Sequence, residues 1–541
     1  MRHLIARYKN YFVVGLKDRT FLVFDKPGDS AAPTGTIVEL LPSEDSKKDD
    51  KESEPSASAK PTEPAPDSND ASSDPTEDGK KKDPEEQKPQ NKNGDKVQKN
   101  RRKLFDEQLN EICAVAIIGD GSNTTEDIVL RCAVARNKKT MDIYTVKLAE
   151  LFPTTPAQAE PIRKTNQSPS LQYLTPKRVS SFDFANIAAN ESSSSDANAN
   201  AGSPVLISGD VAGDSYAYNM LEKGQRLLLG HTASMLTDIA VVNGGKATKP
   251  GENCFLLTCD RDEKIRISRF PESYVIEGFL LGHTTYVTGV TLVPSPSSSS
   301  SSSSLAVSCG GDRTLRLWNL TTQSEISSTS TAPTPTSEKT TSSAVTDDEE
   351  ANDTEDKSEI PTAIEASCCG GYIAVIFDDS KRLSIYNITQ TSNDGDSSSL
   401  ELLGSVGCPS QPLSIVFHEV AQTAEVSSSI NGAILTVLMK DPEYILRYDI
   451  NNSKEEGVEK LAISRSENVV MKALTGLASD EKITMPNTIL EKDDYGNPIL
   501  QKENETRGPA ASEAPWNRVE RVEIAKEKLR RKKKPKLEAS S

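Results

Sequence analysis

Apolar and polar residues alternate in seven short stretches of this chain, and each stretch breaks at a tight polar turn before the alternation resumes. They are YFVVGLKDRTFLVFD (Tyr11–Asp25), LRCAVARNKKTMDIYTV (Leu130–Val146), VLISGDVAGDSYAYNM (Val205–Met220) and CFLLTCDRDEKIRISRF (Cys254–Phe270). The series continues with LAVSCGGDRTLRLWNL (Leu305–Leu320), YIAVIFDDSKRLSIYNI (Tyr372–Ile388) and ILTVLMKDPEYILRYDI (Ile434–Ile450). A period of two around Asp, Gly and Lys turns predicts β-hairpins.

Two of these hairpins follow a Gly-His pair. GHTASMLTDIAVV starts at Gly230 and precedes the fourth hairpin; GHTTYVTGV starts at Gly282 and precedes the fifth, which ends in Trp318-Asn319. A Gly-His…Trp-Asp pattern recurring at about 40–45 residues marks the blades of a propeller. Seven hairpins therefore predict an all-β fold, a seven-bladed WD40-type β-propeller of roughly 300 structured residues. A closed ring must protect its edges, so the N-terminal strands are expected to complete a blade with the segment after Ala462.

Composition adds the segments between blades. The 541 residues are 35% hydrophobic and 5% aromatic, with a mean hydropathy of -0.52, too polar for one core of that length. The expected organisation is N-terminal propeller strands at 1–26, a disordered Pro/Ser/Lys/Glu insertion at 27–103, the propeller at 104–500, and a basic tail at 501–541. Ser-rich and acidic inserts at 187–202, 295–304 and 321–359 fall at strand junctions, where a loop lengthens at small entropic cost. No apolar run is long enough to span a membrane, and no signal-peptide core precedes the first hairpin, so an intracellular chain is expected. The eight cysteines lie mostly in apolar runs without a CxxC pair and are expected to be reduced and buried.

Candidate chemistry is sparse. The four histidines lack metal-ligand spacing, no metal site is expected, and neither a dinucleotide cradle nor a P-loop is present. His283, Ser308, Asp312 and Trp318 stand in the order of a hydrogen-bond chain inside a blade, and His231, Thr258 and Asp262 match three of them one blade earlier. A Ser-His-Asp set also invites a hydrolase reading. A His locked inside a blade, without an exposed nucleophile elbow, argues against it, and no catalytic residue is assigned. Aligning the two turns leaves Arg261, Glu263 and Lys264 where the next blade has Gly311, Arg313 and Thr314. A charged cluster peculiar to one turn suits partner docking. A net charge of -17 disfavours wholesale nucleic-acid binding, yet Arg530, Arg531, Lys532, Lys533 and Lys534 form a run suited to phosphate contact or nuclear import.

HTASMLTD (His231–Asp238), DRDEKIRIS (Asp260–Ser268) and the run Leu281–Val287 closely resemble the WD-repeat, non-catalytic subunit of the eukaryotic tRNA guanine-N7 methyltransferase. The resemblance implies a heterodimer. A separate catalytic subunit would bind S-adenosylmethionine and methylate a guanine of the tRNA variable loop, with this chain holding no cofactor. It implies docking through Arg261, Asp262, Glu263, Lys264 and Arg266, contact with tRNA through the complex, and a nuclear location. The alternative is a general nuclear WD-repeat scaffold for another assembly, such as ribosome or chromatin machinery.

Overall fold

The seven hairpins become the second and third strands of seven antiparallel sheets arranged as a ring. The computed structural model describes residues 3–24, 35–43, 108–119, 128–151, 162–187, 203–232, 234–242, 247–248, 254–294, 305–332, 359–367, 371–390, 398–418, 432–440, 445–455, 458–466 and 472–476. Ile5–Tyr8, Ile112–Gly119, Val179–Ile187, Leu236–Val242, Val287–Val293, Pro361–Ala366 and Pro412–Phe417 are the inner strands of blades 1 to 7. Between the second and third strands, a turn places Lys17, Lys139, Gly213, Glu263, Arg313 or Asp379 at positive φ in blades 1 to 6.

The second strands read as nearly unbroken apolar runs because neighbouring blades cover both of their faces. Tyr11–Leu16 and Tyr372–Phe377 are buried at every position. One apolar core runs through blades 6, 7, 1 and 2, and smaller cores fill the interfaces 2/3, 3/4, 4/5 and 5/6.

Ring closure differs from the sequence expectation. Among the described residues, Ile5–Tyr8, Tyr11–Leu16, Arg19–Phe24 and Gly35–Leu40 form blade 1 with no strand from the C-terminal segment. Val458–Ser466 pairs within blade 7. Blade faces, not a shared strand, close the ring. Phe12 packs on the His418 ring at 4.8 Å, and Arg7 Nη1 donates to the Phe417 carbonyl at 2.5 Å. Burial, then the nearby Arg7 and Arg447 charges, push His418 down to about 3, so it meets Phe12 as a neutral ring.

Two of the expected insertions contain strands. Gly35–Leu40 lies within 27–103; its Ile37, Val38 and Leu40 are buried, and its outer edge is covered by the parallel strand Ile162–Gln167. Ser324–Ser330 lies within 321–359 and is the outer strand of blade 5. Neither stands out in the sequence, for a physical reason: the first is a short apolar run in a polar tract, and the second faces water and needs few apolar residues. The rest of 27–103 outside 35–43, and the tail 501–541, lie outside the described residues.

The inner strands line a central cavity of about 430 Å³. Asp238 ties blades 3, 4 and 5 together there. Its Oδ1 accepts the Ser181 hydroxyl at 2.6 Å and the Ile239 amide at 2.9 Å, its Oδ2 accepts the Val290 amide at 3.0 Å, and His3 Nε2 lies 3.4 Å away. Asp183 accepts the Phe184 and Val241 amides at 2.7 and 2.6 Å. Burial pushes Asp183 up to about 7 despite those amides. Burial, then the charges of Asp238 and Asp183, push Glu365 up to about 8 against the opposing Arg7.

A carboxyl with a higher pKa when folded binds its proton more tightly in that state. Stability then declines as pH rises from the unfolded value of about 4.3 through the folded one. Glu365→Gln is expected to melt above the wild type near pH 9 by calorimetry, with the gap narrowing steadily as pH falls toward about 4. Equal midpoints at both pH values would refute a strained Glu365 charge.

Candidate functional site

The Gly-His segments enter blades 4 and 5 beside the turns that carry the candidate residues. In blade 5 the expected chain is complete. Trp318 Nε1 donates to Ser308 Oγ at 2.8 Å, Ser308 lies 2.8 Å from His283 Nε2, and His283 Nδ1 lies 3.1 and 3.0 Å from the two Asp312 oxygens. Asp312 also accepts the Thr284 and Thr314 amides at 3.0 and 3.1 Å and the Thr314 hydroxyl at 2.8 Å. Every donor has an acceptor when Ser308 donates to Nε2 and Nδ1–H donates to Asp312.

That arrangement cannot serve as a nucleophile. Ser308 is fully buried, its hydroxyl is held between Trp318 and His283, and the indole itself is 1% exposed. The network is a satisfied polar core that specifies the blade.

Blade 4 keeps the logic and changes one partner. His231 Nε2 lies 2.8 Å from Thr258 Oγ1, but Nδ1 meets Asp260 Oδ2 at 2.9 Å, not Asp262. Asp260, at the position of Gly310, also accepts the Asp262 and Lys264 amides at 2.7 and 3.3 Å. It does what Asp210 does one blade earlier, where the Ala212 and Asp214 amides donate at 2.8 and 3.0 Å. Two aspartates spaced by two share one turn, and the one that aligns with Asp312 is not the one that meets the histidine. The repeated Ser-Gly-Asp of blade 3 (Ser208–Asp210) and Thr-Cys-Asp of blade 4 (Thr258–Asp260) was the available signal.

The five predicted docking residues share the blade 4 turn and its third strand, Lys264–Arg269, but their surroundings differ. Lys264 is exposed and has no ion pair among the described residues. Glu263 sits at φ 71°, the left-handed residue that aims the turn outward. Arg261 and Asp262 are half-buried. Arg266 is occupied internally: its guanidinium donates to Ser268 Oγ at 3.0 Å, the Gly230 carbonyl at 3.3 Å and the Ser273 carbonyl at 3.4 Å, bracing blade 4 against blade 3. Burial lowers its pKa. Arg266 therefore positions the turn, and Lys264 presents the charge.

Among the described residues no group of three or more His, Cys, Asp or Glu is placed to hold a metal, and no helix is long and apolar enough to cross a membrane. Cys113, Cys132, Cys254, Cys259, Cys309 and Cys408 are buried free thiols. Arg530, Arg531, Lys532, Lys533 and Lys534 lie outside the described residues.

Residues 138–434, more than half of the chain, match the family described as the tRNA methyltransferase TRM82 WD40 domain. The chain is 43% identical over 115 residues to the tRNA (guanine-N(7)-)-methyltransferase non-catalytic subunit WDR4 of Bos taurus, a match covering 21% of this chain and 24% of that protein. It is 43% identical over 116 residues to the Homo sapiens protein of the same name, again 21% and 24%. The non-catalytic subunit wuho of Drosophila mojavensis is 37% identical over 126 residues, covering 23% of this chain and 29% of that protein. The chain thus spans 24% to 29% of the length of these relatives.

Asp312 gives the site a pH signature. Burial raises its pKa, but the His283 hydrogen bond and charge, the Thr284 amide and the Thr314 hydroxyl outweigh burial and hold it at about 2. A carboxyl with a lower pKa when folded stabilises above its unfolded value of about 3.9 and loses that contribution as pH falls toward about 2. Asp312→Asn is therefore expected to be less stable than the wild type at pH 6 and to show a shallower loss between pH 4 and pH 2 in urea titrations. Parallel pH dependences would contradict the network.

Proposed function

The chain belongs to the family of the tRNA methyltransferase TRM82 WD40 domain, and from that membership we propose that it is the non-catalytic subunit of a tRNA guanine-N7 methyltransferase. In this reading it docks on a separate catalytic subunit, stabilises it, and supports formation of N7-methylguanosine in the tRNA variable loop. S-adenosylmethionine is bound by that partner. The names of the relatives, all non-catalytic subunits of such an enzyme, support the reading.

The observation that carries it is the blade 4 turn. Asp260 satisfies His231, Arg266 braces the blade, and Lys264 is left as an exposed cation at the rim. A turn whose backbone is already fixed offers its charge at the ordering cost of the lysine side chain alone. A partner carboxylate meeting Lys264, in a contact edge that excludes water, fixes register and speeds encounter. Binding one conformation of the catalytic subunit in preference to others stabilises that conformation by mass action. The basic run Arg530–Lys534 supports contact with tRNA phosphates through the complex, or import into the nucleus.

The deciding experiment compares tRNA methylation by this chain, by the catalytic subunit, and by the two co-expressed. Activity is expected only in the mixture. Lys264→Glu is expected to weaken the complex by about 2–5 kcal/mol and to abolish co-purification at low protein concentration. Full activity of the catalytic subunit alone, with no complex formed, would move the assignment to a general nuclear scaffold.

The tail is tested separately. Deleting Lys526–Ser541 is expected to flatten the salt dependence of tRNA binding by the complex. An unchanged slope would leave nuclear import as the role of the run, read from the location of a fluorescent fusion.

A further inference from the structure

The outer strand of each blade meets solvent along one edge, and an exposed apolar edge strand is a liability unless something covers it. Blade 5 answers with Ser324–Ser330, SEISSTS, and blade 1 covers its outer strand with Ile162–Gln167. Among the described residues, the outer strands of blades 2, 3 and 6 expose one large apolar side chain each: Leu174, Leu227 and Leu402. Blade 4 is unlike them. Its outer strand Ile276–Leu281, IEGFLL, leaves Ile276, Phe279 and Leu281 exposed by 47%, 41% and 64%, and Tyr274 just before it by 76%.

Pairing register joins this column to the docking turn. Leu281 lies opposite Lys264, Phe279 opposite Arg266 and Ile276 opposite Ser268. Cross-strand partners share a face, so the exposed cation stands at the end of an apolar column. An isolated surface ion pair contributes little. The same pair gains strength at the edge of an apolar contact that excludes water.

We propose that Tyr274, Ile276, Phe279 and Leu281 form the apolar centre of the protein interface whose charged edge is Lys264. The occupant is a protein surface carrying an apolar strip that ends in a carboxylate. Its identification with the catalytic subunit rests on the function proposed above. Two observations select this occupant: the column is continuous with the docking turn, and its one exposed unpaired cation requires an anion beside the apolar strip. Arg269, the other exposed cation of the same strand pair, is already paired with Glu277.

The test titrates the full-length chain against the catalytic subunit at about 0.1 M and about 1 M salt, where the screening length falls from about 10 Å to about 3 Å. Phe279→Ser combined with Leu281→Ser is expected to raise Kd at least about 30-fold at both salt concentrations. Lys264→Glu is expected to weaken binding strongly at low salt and less at high salt. Tyr274→Ser, at the most exposed position, tests the same face with least risk to folding and is expected to weaken binding at both salt concentrations. Thermal midpoints near the wild-type value verify that the variants fold.

If Lys264→Glu weakens the complex while the apolar variants bind like the wild type, the apolar centre is wrong and the docking turn stands. If the apolar variants weaken it and Lys264→Glu does not, the column stands and the charged edge is wrong. Absence of any complex with the wild-type chain overturns both. Sedimentation of the chain alone covers the remaining occupant: a dimer lost in the apolar variants would assign the column to a second copy of this chain and overturn the proposal.

Discussion

A four-stranded blade has two apolar faces and can cover neither of them. Tyr11–Leu16 and Tyr372–Phe377 are buried along their whole length because a neighbouring blade lies on each side. Burial of that kind stabilises by about 25 cal/mol per Å² of apolar surface removed from water, and it is available to a blade only between two others. The ring therefore has to close. It closes through the apolar core that runs from blade 7 into blades 1 and 2, supported by Phe12 on His418 and by the Arg7 contact to Phe417. The cavity, the blade networks and the rim turns all take their positions from that closure.

Some polar groups buried in this framework complete their hydrogen bonds across blades. Asp238 is a clear case, since its two oxygens collect donors from blades 3, 4 and 5 and lie near His3. The His283–Ser308–Asp312–Trp318 chain does the same within one blade. An incomplete network would cost more than an apolar core of the same shape, because each unpaired buried group pays its full desolvation. Completed networks also explain why residues that resemble a hydrolytic triad perform no chemistry: the hydroxyl and the imidazole are already bound to each other and to fixed partners.

At the rim, blade 4 departs from blade 5 twice. Its turn carries Lys264 where blade 5 has Thr314, and its outer strand carries Phe279 and Leu281 where blade 5 has Ser328 and Ser330. Both departures lie on one face, braced from beneath by Arg266.

Much of this was legible in the chain. The period-two alternation located all seven hairpins, and the Gly-His segments located the networks of blades 4 and 5, because periodicity and turn chemistry act over a few residues. Gly35–Leu40 and Ser324–Ser330 were hidden because an outer strand can be short or polar and still pair. The partner of His231 was beyond local reading: Asp260 and Asp262 are spaced so that either could be drawn onto the imidazole, and strand register chose Asp260. Nor could the chain announce that Arg266 is spent on the Gly230 and Ser273 carbonyls while Lys264 remains exposed, since those carbonyls come from another blade and a neighbouring loop. The sequence by itself determined the hairpins, the number of blades and the charges available. The tertiary structure decided which charges are consumed and which side chains stay in water, because burial and pairing are settled only when distant blades meet.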